Sequence, residues 1–348
     1  MKIIYVGDVN PVTRCGQRLR ALTELGHEVV PIPTVPPAAW GGKTPPLWER
    51  FLWKLGRSPD VAGANAELAR QVRTLAPDLI WVDKGNQVRA ATLRDIKRHL
   101  PGVPLVGYSE DDMWSTRNRS IEFARGLRYY DVFFTPRRFN CDTDELPSLG
   151  AKRVMTVDLS YAPALHRPIE ISPADRLRFG AEVGFIGYYE AARARSIAYL
   201  AKHGVPVRVW GGGPWHRMRG SRTLLAVEGR QVLGEDYVKA LCSTKVNLCF
   251  LRKSNRDLQV ARTTEIPACG AFMLAERTSD HERLFVDGRE VVLFTSDGEL
   301  LEKAHYYLAH DDERIAIGVA GRSRCLKSGY SHHEVLQQMI LSAIGVKP

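Results

Sequence analysis

The sequence predicts an α/β protein built from two parallel-sheet domains, and three observations carry that prediction. Short apolar, β-branched runs alternate with segments of helical period along the chain, the pattern of strands covered by helices. A Pro-rich stretch at residues 159–173, without sustained period, divides this alternation into two series. The chain also opens as strand, loop, helix and strand, in the manner of a Rossmann-like unit.

The first series starts with an apolar strand at 2–6, a loop at 7–13, a helix at 15–25 stopped by Gly26, and a second strand from 27 to 30. A Pro- and Trp-rich stretch at 31–53 follows, and then strands at 79–82, 105–108, 132–135 and 154–157. The second series gives strands at 182–186, 207–210, 246–250, 272–275 and 291–294, with closing helices near 311–327 and 333–344. The expected division is therefore a first domain at 1–165, a second at 166–330, and a C-terminal helix at 331–348 that returns to the first domain. Sheets of this kind bind ligands at the carboxyl ends of their strands, so the expected site is a cleft across which the two domains face each other.

Composition narrows the class of protein. The 348 residues are 44% hydrophobic and 25% charged, enough for two cores in a soluble protein. No apolar run approaches the ~20 residues of a membrane helix, and the first strand is too short and too soon interrupted for a signal peptide. The expected location is the cytoplasm, with peripheral contact at the inner face of the membrane as a variant. The cysteines at 15, 141, 242, 249, 269 and 325 have no paired close spacing, so they suggest neither a zinc site nor a disulfide framework. A net charge of +10 fits an acidic ligand, an anionic membrane surface or nucleic acid. The basic residues are scattered rather than gathered in a tract, which argues against nucleic acid.

The most informative segment runs from Asp257 to Glu276. Asp257 and Glu265 stand with seven residues between them, and Arg262-Thr263-Thr264-Glu265 opens a short helix that closes at Gly270 before an apolar strand. Free amides and the dipole at a helix start favour an anion such as a diphosphate. Arg262 suits bidentate pairing with it, and a carboxylate such as Glu265 accepts from two neighbouring hydroxyls, as on a ribose. The alternative is a capped helix with Thr263 or Thr264 as its N-cap.

Several motifs in this order carry a family resemblance. They are Phe185-Ile-Gly187 followed by Arg193, Val209-Trp-Gly-Gly-Gly213-Pro-Trp215, Leu233-Gly-Glu-Asp-Tyr237, the segment from Arg262 to Gly270, the strand ending at Phe294, and Tyr307-Leu-Ala-His310 with Arg314 and Ala320-Gly321. Over roughly residues 183–335 the chain resembles GT-B fold glycosyltransferases, and most closely the CgeB-like spore-maturation group. The first half resembles them more loosely, in Asp111-Asp112, Leu149-Gly-Ala151 and the run from Tyr161 to Pro168. The resemblance implies a nucleotide-sugar donor on the second domain, a glycan, protein or small-molecule acceptor mainly on the first, and no obligatory metal or other cofactor. It further implies donor contacts at Gly187, Arg193, Gly211, Gly212, Asp257, Arg262, Thr263, Thr264 and Glu265. Asp257 departs from the usual glutamate by one methylene, and Ser254-Asn-Arg256 replaces the usual glycine-rich lead-in.

Glycosyl transfer also needs an acceptor hydroxyl to lose its proton. Asp111 and Asp112, following the strand at 105–108, are the candidate bases, with an N-cap at Asp112 as the structural alternative and Asp8 and Asn10 as runners-up. Asp142-Thr-Asp144 has the form of a metal and diphosphate motif, but it falls where a helix at 143–149 would start, a common place for Asp. The histidines at 166, 332 and 333 are ambiguous, plain surface being one reading, and they lack the clustering a metal site needs. Trp40, Trp48, Phe51 and Trp53 lie in an irregular insert whose run 46–55 reads as an amphipathic helix that packs on the domain, or that offers its rings to a glycan or a membrane interface. Two further functions remain open: a nucleotide-sugar epimerase of the same fold, and a non-catalytic basic binding protein. An NAD-dependent oxidoreductase fits less well, because Gly7-Asp8-Val9-Asn10 lacks the G-x-G-x-x-G turn.

Overall fold

Two six-stranded parallel sheets make up the protein, each with helices packed against it. The computed structural model describes residues 1–40, 45–218, 220 and 224–345. By its contacts the chain divides into a first unit, Met1–Asp158 with His332–Pro348, and a second unit, Leu159–Ser331.

In the first unit the strands are β1 (Lys2–Gly7), β2 (Glu28–Pro33), β3 (Leu79–Asp83), β4 (Leu105–Tyr108), β5 (Val132–Thr135) and β6 (Val154–Thr156). Their order is β2-β1-β3-β4-β5-β6. Helices α1 (Arg14–Glu24), α2 (Leu47–Lys54), α3 (Ala64–Thr74), α4 (Ala90–His99) and α5 (Ile121–Gly126) connect them. In the second unit helix α6 (Pro173–Phe179) precedes β7 (Ala181–Ile186), α7 (Ala191–Lys202), β8 (Val207–Trp210), β9 (Leu225–Val227), α8 (Glu235–Ser243) and β10 (Thr244–Cys249). Then come α9 (Arg262–Ala268), β11 (Met273–Glu276), α10 (Ser279–Leu284), β12 (Val292–Phe294), α11 (Asp297–Ala309) and α12 (Asp311–Lys327). This sheet has the order β12-β11-β10-β7-β8-β9. Helix α13 (His332–Ala343) belongs to the first unit, where Leu336, Met339 and Ile340 share a core with Ile3, Tyr5 and Trp81.

Each strand order reverses once, between β1 and β3 in the first sheet and between β7 and β10 in the second. At such points the outgoing loops diverge and leave room for ligand beyond the strands' carboxyl ends. In the first unit that region holds a dense ionic network. Arg18 donates from Nε to Asp83 at 2.8 Å and also pairs with Glu110. Arg14 donates from Nε to both Glu110 oxygens at 2.9 Å, and Tyr5 donates to Asp83 at 2.8 Å. The Arg18 guanidinium lies 4.6 Å from the Tyr108 ring centre. Burial alone would raise the Glu110 carboxyl, but Arg14 and Arg18 outweigh it and hold it at about 2.

One sequence expectation fails in this unit. Instead of a helix at 143–149 there are 3-10 turns at Arg138–Cys141 and Leu146–Leu149. Pro147 lacks the N–H a helix needs and disfavours helical backbone at Leu146, and Gly150, at φ 96°, ends the second turn. Asp142 and Asp144 are exposed there. Helix α2 forms as expected; Leu52 and Trp53 are half-buried, while Leu47, Trp48 and Phe51 are exposed. In the second sheet the sequence reading missed β9, the short run Leu225–Val227 between β8 and α8.

Glu110→Gln is expected to lower stability at neutral pH by about 3 kcal/mol, since it removes a carboxylate with which both Arg14 and Arg18 pair. The folded-state value of Glu110 lies below its ordinary 4.5, so its contribution is complete above that pH and lost as pH falls toward about 2. Denaturant midpoints measured over this window should fall for the native chain and flatten for E110Q. Equal slopes would assign the acid sensitivity to other groups.

Candidate functional site

The reversal point of the second sheet gathers two arginines around one phenylalanine. Phe185, in β7, lies 5.7 Å from the Arg193 guanidinium and 5.4 Å from that of Arg262, measured to the ring centre. Arg193 is on the first turn of α7, close to the end of β7, and Arg262 opens α9, twelve residues beyond Phe250, the residue that follows β10. Carbonyl oxygens fix their directions. Arg193 donates from Nε to Leu251 at 3.2 Å and from an Nη to Tyr188 at 3.1 Å, and Arg262 donates to the Phe250 carbonyl at 3.4 Å. The buried Nε of Arg262 has no hydrogen-bond partner among the described residues. Arg193 is buried, and that burial, together with the charge of Arg262, lowers its guanidinium to about 10 against the pull of Glu190 and Asp257. It is still a cation at neutral pH, and two like charges so placed favour an anion between or beside them.

The loop from β10 to α9 is anchored by Asp257. This buried side chain accepts from the Arg252 amide at 3.1 Å and from the Asn255 amide group at 2.6 Å. Arg256, just before it, has φ 49°, and the other non-glycine residue with positive φ among the described residues is Lys84, at φ 66°. Glu276 accepts from the Leu251 amide at 3.0 Å and pairs with Lys253. A cleft of about 410 Å³ opens at the ends of β10, β11 and β12, lined by Arg193, Phe250, Lys253, Glu276 and Thr295 among others.

Helix α9 departs from its expected role at its first turn. The amides of Thr263, Thr264 and Glu265 are spent on the carbonyls of Val260 and Ala261, because Ala261 already has helical backbone. The anion cradle expected from these amides is therefore closed. Thr263 and Thr264 have no exposed surface. The Thr263 hydroxyl accepts from the Val260 amide at 3.0 Å and lies 2.8 Å from His281 Nε2, and the Thr264 hydroxyl donates to the Ala261 carbonyl at 3.4 Å. Both threonines close the turn from inside, a correction to their placement at a donor.

Glu265 is buried in a pocket that the sequence did not reveal. Tyr237, on α8, donates to Glu265 Oε2 at 2.8 Å, and His166 Nε2 lies 3.9 Å from Oε1. Burial, then the neighbouring Glu265 charge, raises the Tyr237 phenol far above its usual range and keeps it a donor. His166 is buried rather than on the surface, and its Nδ1 accepts from the Ala162 amide at 3.0 Å. The one signal for this pair was Tyr237 within Gly-Glu-Asp-Tyr at a helix start. Nothing in sequence spacing linked His166 to Glu265 across 99 positions.

Close packing accounts for the glycines. A Cβ on Gly211 would lie 1.8 Å from the Gly187 carbonyl oxygen, and one on Gly187 would lie 2.7 Å from the Phe185 ring. Gly187 also accepts from the Trp215 indole at 2.9 Å. Gly212 faces Gln231 and Tyr188. These glycines let the loops after β7 and β8 touch.

The candidate bases lie in the first unit, after β4. Asp112 is buried, and its Oδ1 accepts from the Trp114 amide at 3.1 Å and from Asn140 at 2.8 Å. Asp111 is more exposed and pairs with Lys84 at 2.8 Å. In the loop after β1, Asp8 accepts from the Asn10 amide at 3.2 Å, and Thr13 caps α1. Among the described residues no three His, Cys, Asp or Glu side chains form a group able to hold a metal ion.

Residues 193–340 match the model of a family described as glycosyl transferase-like. No curated protein sequence matches the chain. Among solved structures, the chain is similar to Anabaena Alr3699/HepE in complex with UDP, at 12% identity and TM-score 0.63 over 98% of this chain and 99% of that one. It is also similar to sucrose-phosphate synthase from Thermosynechococcus elongatus, at 12% identity and TM-score 0.66 over 98% of each chain. A putative UDP-N-acetylglucosamine 2-epimerase from Listeria monocytogenes aligns at 10% identity and TM-score 0.57, over 98% of this chain and 95% of that one. At these identities the likeness is one of fold, and the α/β architecture of two Rossmann-like domains, that of GT-B proteins, is the architecture of this chain.

Gly211→Ala is expected to cost about 2 kcal/mol, because two backbone segments, rather than a side chain, must give way. Thermal unfolding should show the loss, with Gly102→Ala, where a Cβ meets nothing, as the neutral control. Equal stability of G211A and the native chain would mean that the loops after β7 and β8 pack less tightly than described.

Proposed function

We propose that the protein is a glycosyltransferase of the CgeB-like group that moves a hexosyl unit from a nucleoside diphosphate to an acceptor hydroxyl. The observation that carries this reading is the convergence of Arg193 and Arg262 on Phe185 at the β7/β10 reversal. Two guanidinium groups match a diphosphate in charge and in paired acceptor geometry. The family match over 193–340 supports the reading, as does the fold shared with a protein whose structure holds UDP.

In the reaction the bond from the anomeric carbon to the diphosphate oxygen breaks, and a bond to the acceptor oxygen forms. The electron pair leaves with the diphosphate, where Arg193 and Arg262 stabilise it, a role worth roughly 3 kcal/mol for one well-placed donor. Positive side chains then supply the charge that a metal ion would otherwise bring, so no metal is required. Glu265, oriented by Tyr237 and His166, accepts the ribose hydroxyls, and Asp257 shapes the loop beneath the sugar. Gly187, Gly211 and Gly212 serve the donor by holding the two loops in contact. Asp111 takes the acceptor proton, and Asp112 anchors its loop. The acceptor is a glycan, a protein or a small molecule, and the reaction runs in the cytoplasm.

Calorimetric titration with uridine, guanosine and thymidine diphosphates should find one that binds. Arg262→Ala should weaken it by about 2 kcal/mol, near thirtyfold, and Glu265→Ala by roughly 1.5 to 3 kcal/mol. Absence of binding by all three, or folded variants that bind as the native chain does, would remove the donor site. With a donor and acceptor in hand, Asp111→Asn should abolish transfer while leaving nucleotide affinity unchanged, and activity should survive chelation of divalent ions. Product analysis separates this reading from epimerisation, which would yield a free isomerised sugar without any acceptor.

A further inference from the structure

Helix α2 is turned inside out relative to an ordinary surface helix. Its apolar residues at i, i+4 and i+8 are Leu47, Phe51 and Leu55, which share one face, and that face points to solvent. Leu47 is 78% exposed, Phe51 61%, Leu55 52% and the adjoining Trp48 51%. The side that meets the protein carries Leu52 and Trp53, both only half-buried. An apolar stripe of this size in water costs free energy unless something covers it.

The charges around the stripe say what covers it. Arg50 and Lys54 flank it on one side, one turn apart, and Arg57 follows the helix; all three are exposed. The single acid of the helix, Glu49, lies on the inward side with Trp53. The Gly56 carbonyl accepts from the Ile121 amide at 2.7 Å, which brings a further exposed apolar side chain to the end of the stripe. A short helix with outward leucine, phenylalanine and tryptophan and a basic border has the make-up of an interfacial anchor, its rings in the acyl boundary and its cations among lipid phosphates. Among the described residues no helix is long and apolar enough to cross a membrane.

We propose that α2 docks the first unit on an anionic lipid bilayer, inserting Leu47, Trp48, Phe51 and Leu55 at the headgroup level with Arg50, Lys54 and Arg57 on the lipid phosphates. The inference is independent of the reaction at the second unit, and vesicle binding and nucleotide binding can fail separately.

The test is flotation of the full chain with phosphatidylcholine vesicles and with vesicles that also contain phosphatidylglycerol. The native protein should float with the anionic vesicles and largely stay behind with the neutral ones. A double variant, Leu47→Ser with Phe51→Ser, should lose more than tenfold in vesicle affinity. Arg50→Gln with Lys54→Gln should lose roughly twenty-fivefold, about fivefold per cation at an anionic surface, without touching the apolar stripe. Both variants alter exposed side chains, so their thermal midpoints should equal that of the native chain, and their nucleotide titrations should be unchanged. The proposal is overturned if the native protein stays out of anionic vesicles, or if either variant floats as the native chain does. It is also overturned if the native chain proves to be a dimer that the serine variant dissociates and that shows no flotation, since the stripe would then meet a second copy. Retention on a glycan column in place of flotation overturns it in favour of the stacking surface.

Discussion

The site in the second unit depends on holding two guanidinium groups near one aromatic ring against their mutual repulsion. Phe185 attracts both through its face, and the carbonyls of Tyr188, Phe250 and Leu251 accept from them at fixed angles. Those carbonyls point where they do because β7 and β10 end side by side while the chain leaves them in opposite directions. Glycines at 187 and 211 allow the loops after β7 and β8 to close on each other, and the indole of Trp215 ties the contact. The backbone thus meets the electrostatic cost of the cluster before any ligand arrives, which is what preorganisation requires.

The first unit solves the same topological problem with its charges balanced. At the β1/β3 reversal, Arg14 and Arg18 are matched by Asp83 and Glu110, and Tyr5 and Tyr108 complete the network. The crevice region is thereby made rigid by its own ion pairs. Two equivalent reversal points, one compensated internally and one carrying paired cations, give the two units different chemistry on the same scaffold.

Strand and helix alternation was legible in the sequence because buried parallel strands are written as short apolar runs, and eleven of the twelve strands have them. Strand β9 escaped, and the helix expected at 143–149 was undone by Pro147. Around the site, Arg193 and Arg262 were readable as cations near strand ends, but their convergence on Phe185 depends on strand order, which no local pattern encodes. Thr263 and Thr264 looked like ligand contacts because hydroxyls at a helix start often are. Whether they face outward was decided by the helical backbone of Ala261, and it turned them inward. His166 and Tyr237 come to Glu265 from distant segments, a meeting visible only once the chain is folded. Helix α2 shows the converse case: its amphipathic period was plain, but period alone does not say which face looks at the protein.

Helix α13 gives the molecule an order of assembly. Residues 1–158 emerge first from a ribosome, but the core between Ile3, Tyr5 and Trp81 remains open on one side until Leu336, Met339 and Ile340 arrive. The second unit, continuous from Leu159 to Ser331, is complete earlier than the first, although it is encoded later. During synthesis the nascent first unit therefore leaves apolar surface uncovered for the time taken to make the whole second unit, and helix α13 is the latch that closes over it.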